Sequence, residues 1–294
     1  MKKQIAIVFN QHSCTPTQKA QIADALADLK QPVTFIALDE NTAKKVAKGS
    51  YDTVVAVGGD GTVSAVADMI AGTAMNLGVI PQGTLNHFAK DLGIPLTIVP
   101  AIQAIVRGTL KKVDYGMVNS EVFINNSSIG LYPRLVRRRE KLEPKLSKWP
   151  AAVVSSVVSA QNLKRFTAEV TIDGETILWR TAMIFVGNNS YQLAKPGFNN
   201  RDNLTGGMLS VYCLKTVRIH TLVWLMWRIA QGKPIPKRYF ERLHTKKLDV
   251  RLPKRSKPTV WVALDGEVKR LSLPLHYAIH SGQCSVWVPR PKHL

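Results

Sequence analysis

The chain has 294 residues, 45% of them hydrophobic, and carries a formal net charge of +20. That length and composition provide a sizeable core in one large or two ordinary domains and exclude wholesale disorder. Three cysteines, Cys14, Cys213 and Cys284, stand far apart with no C-x-x-C pair, which excludes a disulfide framework or a cysteine zinc site and fits a reducing, cytoplasmic compartment.

Taken in chain order, the apolar run Ile5–Phe9 is too short for a signal-peptide core and reads as a strand buried on both faces. Residues 16–30 follow with helical spacing, placing Ile22, Ala25, Leu26 and Leu29 on one face. Strands are then predicted at Val33–Leu38, Thr53–Val57 and Leu77–Ile80. Helices are predicted at Thr42–Lys48, Val63–Ala71 and Leu96–Arg107. Strand–helix alternation with short links implies a parallel sheet covered on both faces.

After Val113 the pattern changes to strands in pairs, at Met117–Asn125, Phe166–Ile172, Thr176–Val186, Met208–Leu214, Lys247–Leu252, Thr259–Ala263 and Leu271–Ile279. Turn signals such as Asp173-Gly174 and Asp265-Gly266 separate several of them. The expected fold is a three-layer α/β domain over 1–115 and an antiparallel β-sandwich domain over 116–294. Helical insertions are expected near 132–162 and 217–232, and the last strands are free to return to the first domain. No apolar run approaches the ~20 residues that span a bilayer, so membrane contact is expected to be peripheral.

Charge is unevenly spread. Residues 1–110 hold nine Lys/Arg against eight Asp/Glu, so nearly the whole excess falls on the rest of the chain. Arg134–Lys148 carries seven basic residues against Glu140 and Glu143, and Arg228–Lys257 carries eleven against Glu241 and Asp249. Trp149, Trp224, Trp227 and Tyr239 lie in or beside these stretches. Basic residues interleaved with aromatics suit an anionic membrane interface. Charge alone would also admit nucleic acid, but no nucleic-acid motif accompanies it.

Two glycine turns carry the chemistry. Val54–Val57 leads into Gly58-Gly59-Asp60-Gly61-Thr62, and a helix follows. Leu77–Ile80 leads into Pro81-Gln82-Gly83-Thr84-Leu85-Asn86. A buried strand, a glycine turn and a helix N-terminus form an anion-binding arrangement, with glycines permitting positive φ and close phosphate approach. The segment is neither a Walker A loop nor a dinucleotide fingerprint. Asp60 inside such a turn would repel phosphate unless a metal or a transferable proton intervenes, which points to Mg²⁺-nucleotide chemistry. Thr84 and Asn86 are candidates to bind phosphate or ribose, with a helix N-cap as the plain alternative for Thr84.

The sequences GGDGTV at 58–63 and PQGTLNHFAKDLGIP at 81–95 resemble the diacylglycerol kinase catalytic-domain family, which includes bacterial lipid kinases and sphingosine kinases and is distantly related to NAD kinases. The resemblance continues in VDYGMVNSEVFINNSSIG at 113–130, VGNNSYQLAKPGFNNRDNLTGGMLSVYCL at 186–214 and LDGE at 264–267. It implies an N-terminal nucleotide domain, a C-terminal β-sandwich, and ATP and lipid meeting between them. Gly58, Gly59, Asp60, Gly61, Thr62, Gly83, Thr84 and Asn86 would bind ATP with Mg²⁺. Glu267 matches the family's general base, and Asp60 joins it as the second catalytic candidate. A homodimer is reasonable on the same ground. One departure stands out: where family members carry an Asp tied to a structural Mg²⁺, this chain has Gly206, and Asp202 is the nearby candidate to replace it.

The resulting expectation is a lipid kinase at the inner membrane surface, transferring the γ-phosphate of ATP to a lipid hydroxyl. A kinase of a soluble acceptor on the same scaffold, and a non-catalytic nucleotide or anionic-lipid binding protein, are the alternatives.

Overall fold

The computed structural model describes residues 4–11, 14–28, 32–142, 165–191, 201, 203–215, 221, 224–225, 227–228, 231, 233, 236, 239–253 and 257–291. The chain forms two compact units, Met1–Tyr115 with Ser281–Leu294, and Gly116–His280.

The first unit contains β1 (Ile5–Phe9), α1 (Pro16–Asp28), β2 (Val33–Ala37), α2 (Thr42–Lys48), β3 (Thr53–Gly58), α3 (Asp60–Ile70), β4 (Asn76–Pro81), α4 (His87–Asp91), α5 (Ile98–Arg107) and the start of β5 (Thr109–Val118). Strands β2-β1-β3-β4 form a parallel sheet. Ile5–Val8 and Val54–Val57 are buried along their whole length, which is why they read as unbroken apolar runs rather than as alternation. Helix α3 packs on β3 and β4, α5 packs on β4, and α1 packs against α5. Pairing of β3 with β4 continues to Gly58 opposite Pro81. Both glycine turns therefore leave the sheet side by side at the carboxyl ends of adjacent strands, where open α/β sheets bind ligands.

The second unit takes the end of β5, then β6 (Glu121–Phe123), β7 (Asn126–Gly130), α6 (Leu131–Leu142), β8 (Phe166–Ile172), β9 (Glu175–Thr181), β10 (Met183–Asn188), β11 (Leu209–Leu214), β12 (Phe240–Thr245), β13 (Lys247–Arg251), β14 (Thr259–Leu264), β15 (Glu267–Ser272) and the first half of β16 (Leu275–Val288). One sheet has the order β12-β11-β10-β7-β14-β15 and is antiparallel throughout. The other runs β16-β13-β8-β9, also antiparallel here. Ile129, Ile184, Val186, Val211 and Val262 of the first sheet share one buried cluster with Ala168, Val170, Leu248, Val250 and Tyr277 of the second. Two inner faces closing on one core make this unit a β-sandwich.

Three single strands expected from sequence are each two. Asn119, at φ 53°, turns the chain between β5 and β6. The run 176–186 breaks at Ala182, with β9 in one sheet and β10 in the other. The run 271–279 breaks at Leu273-Pro274, where β15 ends and β16 enters the opposite sheet. Across Leu273-Pro274 the alternation runs on through Leu271, Leu273, Leu275 and Tyr277 and hides the switch, whereas at Ala182 the inward set shifts from Ile177 and Trp179 to Ile184 and Val186 inside a run that is apolar at most positions. Residues 281–294, assigned by sequence to 116–294, belong with the first unit: Val286 pairs in parallel with Leu77, and Trp287 Nε1 donates to Thr53 Oγ1 at 3.1 Å. Helix α6 opens the insertion expected at 132–162, whose remainder beyond 142 lies outside the described residues. Within 217–232, Thr221, Trp224, Leu225, Trp227 and Arg228 are helical. Among the described residues no helix is long and apolar enough to cross a membrane.

Candidate active site

In the first unit, Gly59 sits in an extended conformation (φ −85°, ψ −173°) as the N-cap of α3. The helix thus starts at Asp60, three residues before the sequence placed it. Gly61 and Thr62 lie in its first turn, where N–H groups lack intrahelical partners. None of Gly58, Gly59, Gly61 and Gly83 has a positive φ, so the expectation that these glycines supply left-handed backbone is incorrect. Close approach is the reason for glycine. A Cβ on Gly83 would lie 2.4 Å from Gly59 Cα, and one on Gly59 would lie 3.2 Å from Gly83 Cα. The two turns touch through bare backbone. Thr62 is buried, and its side chain fills the space beside Gly58, where a Cβ would come within 2.3 Å of Oγ1.

Asn86, at φ 51°, precedes α4. Its Oδ1 accepts from Gly83 N–H at 2.9 Å and its Nδ2 donates to Gly83 C=O at 2.7 Å. The amide expected to reach a nucleotide is therefore committed to shaping the second turn. Asp60 has a comparable task. Its two carboxylate oxygens accept from His87 N–H and Phe88 N–H, each at 3.1 Å. The negative charge that the sequence placed in the nucleotide turn is offset by the N-terminal amides of α4. This geometry makes Asp60 a strut between the two turns. Thr84 is exposed and is not the cap of α4, because Asn86 occupies that position.

In the second unit, Asp265 (φ 48°) and Gly266 (φ 94°) form the two-residue turn joining β14 to β15. Asp173 and Gly174 do the same between β8 and β9, at φ 50° and 86°. Two positive φ values in a two-residue hairpin call for this Asp-Gly chemistry. The identical triplets differ in what the aspartate holds. Asp265 accepts from the N–H groups of Ile124, Asn125 and Asn126 at 2.7, 2.8 and 2.8 Å. The carbonyls of the same segment are held from the other side. Asn188 Nδ2 donates to Ile124 C=O at 2.8 Å, Tyr191 OH donates to Asn125 C=O at 2.8 Å, and Arg201 donates to Ile124 C=O and to Asn125 Oδ1. Asn188, Tyr191 and Arg201 are all buried. Glu267 follows this turn as the first residue of β15 and is exposed. Sequence reading missed Asn125, Asn188, Tyr191 and Arg201 as a group. The doubled asparagines at 125–126 and 188–189 were the available signal, since polar pairs closing buried strands must find partners.

At Gly206 the donors are neutral. A Cβ there would lie 2.8 Å from Asn189 Oδ1 and 2.9 Å from Asn203 Oδ1. Asn189 Oδ1 is buried and has no hydrogen-bond partner among the described residues. Asp202 lies outside the described residues. Two amide oxygens do not supply the carboxylate that Mg²⁺ takes from a protein. Among the described residues no group of three His, Cys, Asp or Glu side chains could hold a metal.

The diacylglycerol kinase catalytic domain matches residues 4–118. A diacylglycerol kinase of Staphylococcus saprophyticus is 34% identical over 140 residues, 44% of this chain and 46% of that protein. One from Staphylococcus aureus is 35% identical over 140 residues, 44% of each chain. The chain thus spans under half the length of the curated relatives it matches. A crystal structure of a diacylglycerol kinase from Bacillus anthracis superposes with a TM-score of 0.70 at 18% identity, covering 97% of both chains. Another Bacillus anthracis crystal structure gives 0.76 at 21% identity with the same coverage; at these identities the likeness speaks for the fold. Residues 4–118 carry the chain's likeness to the diacylglycerol kinase catalytic domain.

Proposed function

We propose that the protein is a lipid kinase that transfers the γ-phosphate of Mg·ATP to a lipid hydroxyl, acting peripherally at the inner face of the membrane. The observation that carries this reading is the pair of glycine turns in backbone contact at the ends of β3 and β4, with the α3 N-terminus opening beside them. Bare backbone and a helix N-terminus form a surface for polyphosphate. The match of residues 4–118 to the diacylglycerol kinase catalytic domain supports the reaction class.

In this reading Gly58–Thr62, Gly83 and Thr84 line the phosphate path, while Asp60 and Asn86 hold the two turns in register. Mg²⁺ arrives with the nucleotide as part of the substrate, and no step is assigned to it. The acceptor oxygen bonds to the γ-phosphorus as the bond from that phosphorus to the β–γ bridging oxygen breaks. The hydroxyl proton passes to the Glu267 carboxylate and ADP leaves. Helix N-terminal N–H groups stabilise charge on the transferring group.

The test is transfer of labelled γ-phosphate into a total bacterial lipid extract, comparing the wild type with Glu267→Gln. A labelled lipid is expected from the wild type, with a rate loss of about 10²–10⁴ in the variant. Label in a water-soluble product would indicate a soluble acceptor. Nucleotide binding without transfer would identify a non-catalytic binding protein.

A further inference from the structure

Near one end of the six-stranded sheet, a basic and aromatic cluster stands outside both groups of site residues. Trp224 is half-buried and packs with Tyr239 on Ala182, Leu214 and Leu225; its ring meets that of Tyr239 edge-on at 5.8 Å. The indole of Trp224 is thus fixed to the fold. Three residues on, Trp227 is 54% exposed. Its backbone is also fixed: Gln231 N–H donates to the carbonyls of Trp227 and Arg228, both at 3.1 Å, and Lys233 N–H donates to Arg228 C=O at 2.9 Å. This tight turn brings the Lys233 ammonium to 5.5 Å from the Trp227 ring and leaves the Arg228 guanidinium 5.0 Å from the Trp224 ring.

We infer that this cluster is the element that docks the protein on an anionic bilayer, with Trp227 seated at the headgroup level and Arg228 and Lys233 beside the lipid phosphates. An exposed indole on an anchored turn is costly in water and favourable at a membrane interface, where one edge can be apolar and the other wet. The two cations stand over the indole faces, where the ring quadrupole attracts them. The stretch from Arg228 to Lys257 has eleven basic residues and two acidic ones, which complements an anionic lipid surface and opposes basic partners. The inference deepens the lipid-kinase reading by naming its membrane-facing element, but it does not require turnover.

Vesicle co-sedimentation without nucleotide tests it, using phosphatidylcholine vesicles with and without phosphatidylglycerol. Wild-type protein is expected to bind only the vesicles with phosphatidylglycerol. Trp227→Ala should weaken binding about tenfold, half the worth of burying a large apolar side chain. Lys233→Glu should weaken it about 25-fold, at about fivefold per unit charge. Lys48→Glu, on the exposed face of α2, is the control for non-specific attraction. Melting temperatures near wild type confirm folding. Absence of binding to phosphatidylglycerol, equal binding to both vesicles, wild-type binding by Trp227→Ala, or an equal loss with Lys48→Glu would each overturn the inference. Because no phosphoryl transfer is measured, failure here and failure of the kinase reading are separate results.

Discussion

Replacing Gly83 with Ala tests whether the two glycine turns are held by close backbone approach. A Cβ at Gly83 would lie 2.4 Å from Gly59 Cα and 2.8 Å from Asn86 Oδ1, whereas non-bonded carbons rest at about 3.5–4.0 Å. The obstruction is the backbone of the α3 N-cap, so relief requires the turns to part by about 1 Å or more. The two hydrogen bonds between Gly83 and Asn86 weaken with that movement. Overpacking and the damaged amide pair together cost about 2–5 kcal/mol. Gly59→Ala faces a 3.2 Å contact, relieved by a few tenths of an ångström, and costs about 1 kcal/mol. Gly72→Ala is the comparator, because its φ is +73° and nothing lies within 4 Å of the new Cβ; it costs about 1 kcal/mol through backbone strain alone. Urea unfolding and titration with a fluorescent ATP analogue read the two consequences. Gly83→Ala should be the least stable of the three and should bind nucleotide at least about tenfold more weakly, a loss of about 1.4 kcal/mol, while Gly72→Ala binds normally. A Gly83→Ala protein as stable as Gly72→Ala would refute the packing argument, and wild-type nucleotide affinity would refute the assignment of these turns to phosphate.

Asp265→Asn and Asp173→Asn separate the two identical turns. Both aspartates have left-handed φ, which Asn tolerates, so backbone strain cancels. Asp265→Asn places an amide NH₂ among three N–H donors and should cost about 2–4 kcal/mol, against about 0.5 kcal/mol or less for Asp173→Asn. Equal melting temperatures would show that the triplets are equivalent. Burial pushes the Cys284 thiol up to about 12 from its ordinary 9.0. The unfolded chain therefore releases this proton first, and stability should fall as pH rises from about 9 towards 12. Cys284→Ala should flatten that alkaline slope. At pH 8 the three buried cysteines should resist a thiol reagent until denaturant is added, and rapid labelling of native Cys284 would contradict its burial.

Fold class and the position of both glycine turns follow from the sequence, because each rests on local pattern. Unbroken apolar runs such as Val54–Val57 mark doubly covered strands, and a glycine segment directly after one of them marks a loop at the carboxyl edge of a sheet. Asp-Gly at 173–174 and 265–266 fixes both hairpins through the φ values those residues accept. The basic and aromatic composition of 228–257 was likewise legible. What the side chains do there was not. Asp60 reads as a catalytic and nucleotide-binding carboxylate in one dimension because its partners, the amides of His87 and Phe88, are 27 and 28 residues away. Asp265 and Asp173 read alike because the difference lies in Ile124–Asn126, some 140 residues upstream of Asp265. The sheet switch at Pro274 leaves the alternation intact, the phase shift at Ala182 is masked by a nearly continuous apolar run, and the return of 281–294 to the first unit depends on pairing with β4. Local conformation is decided by neighbours in sequence. Which backbone amides a carboxylate satisfies, and which glycine must lack a Cβ, is decided by segments that only folding brings together.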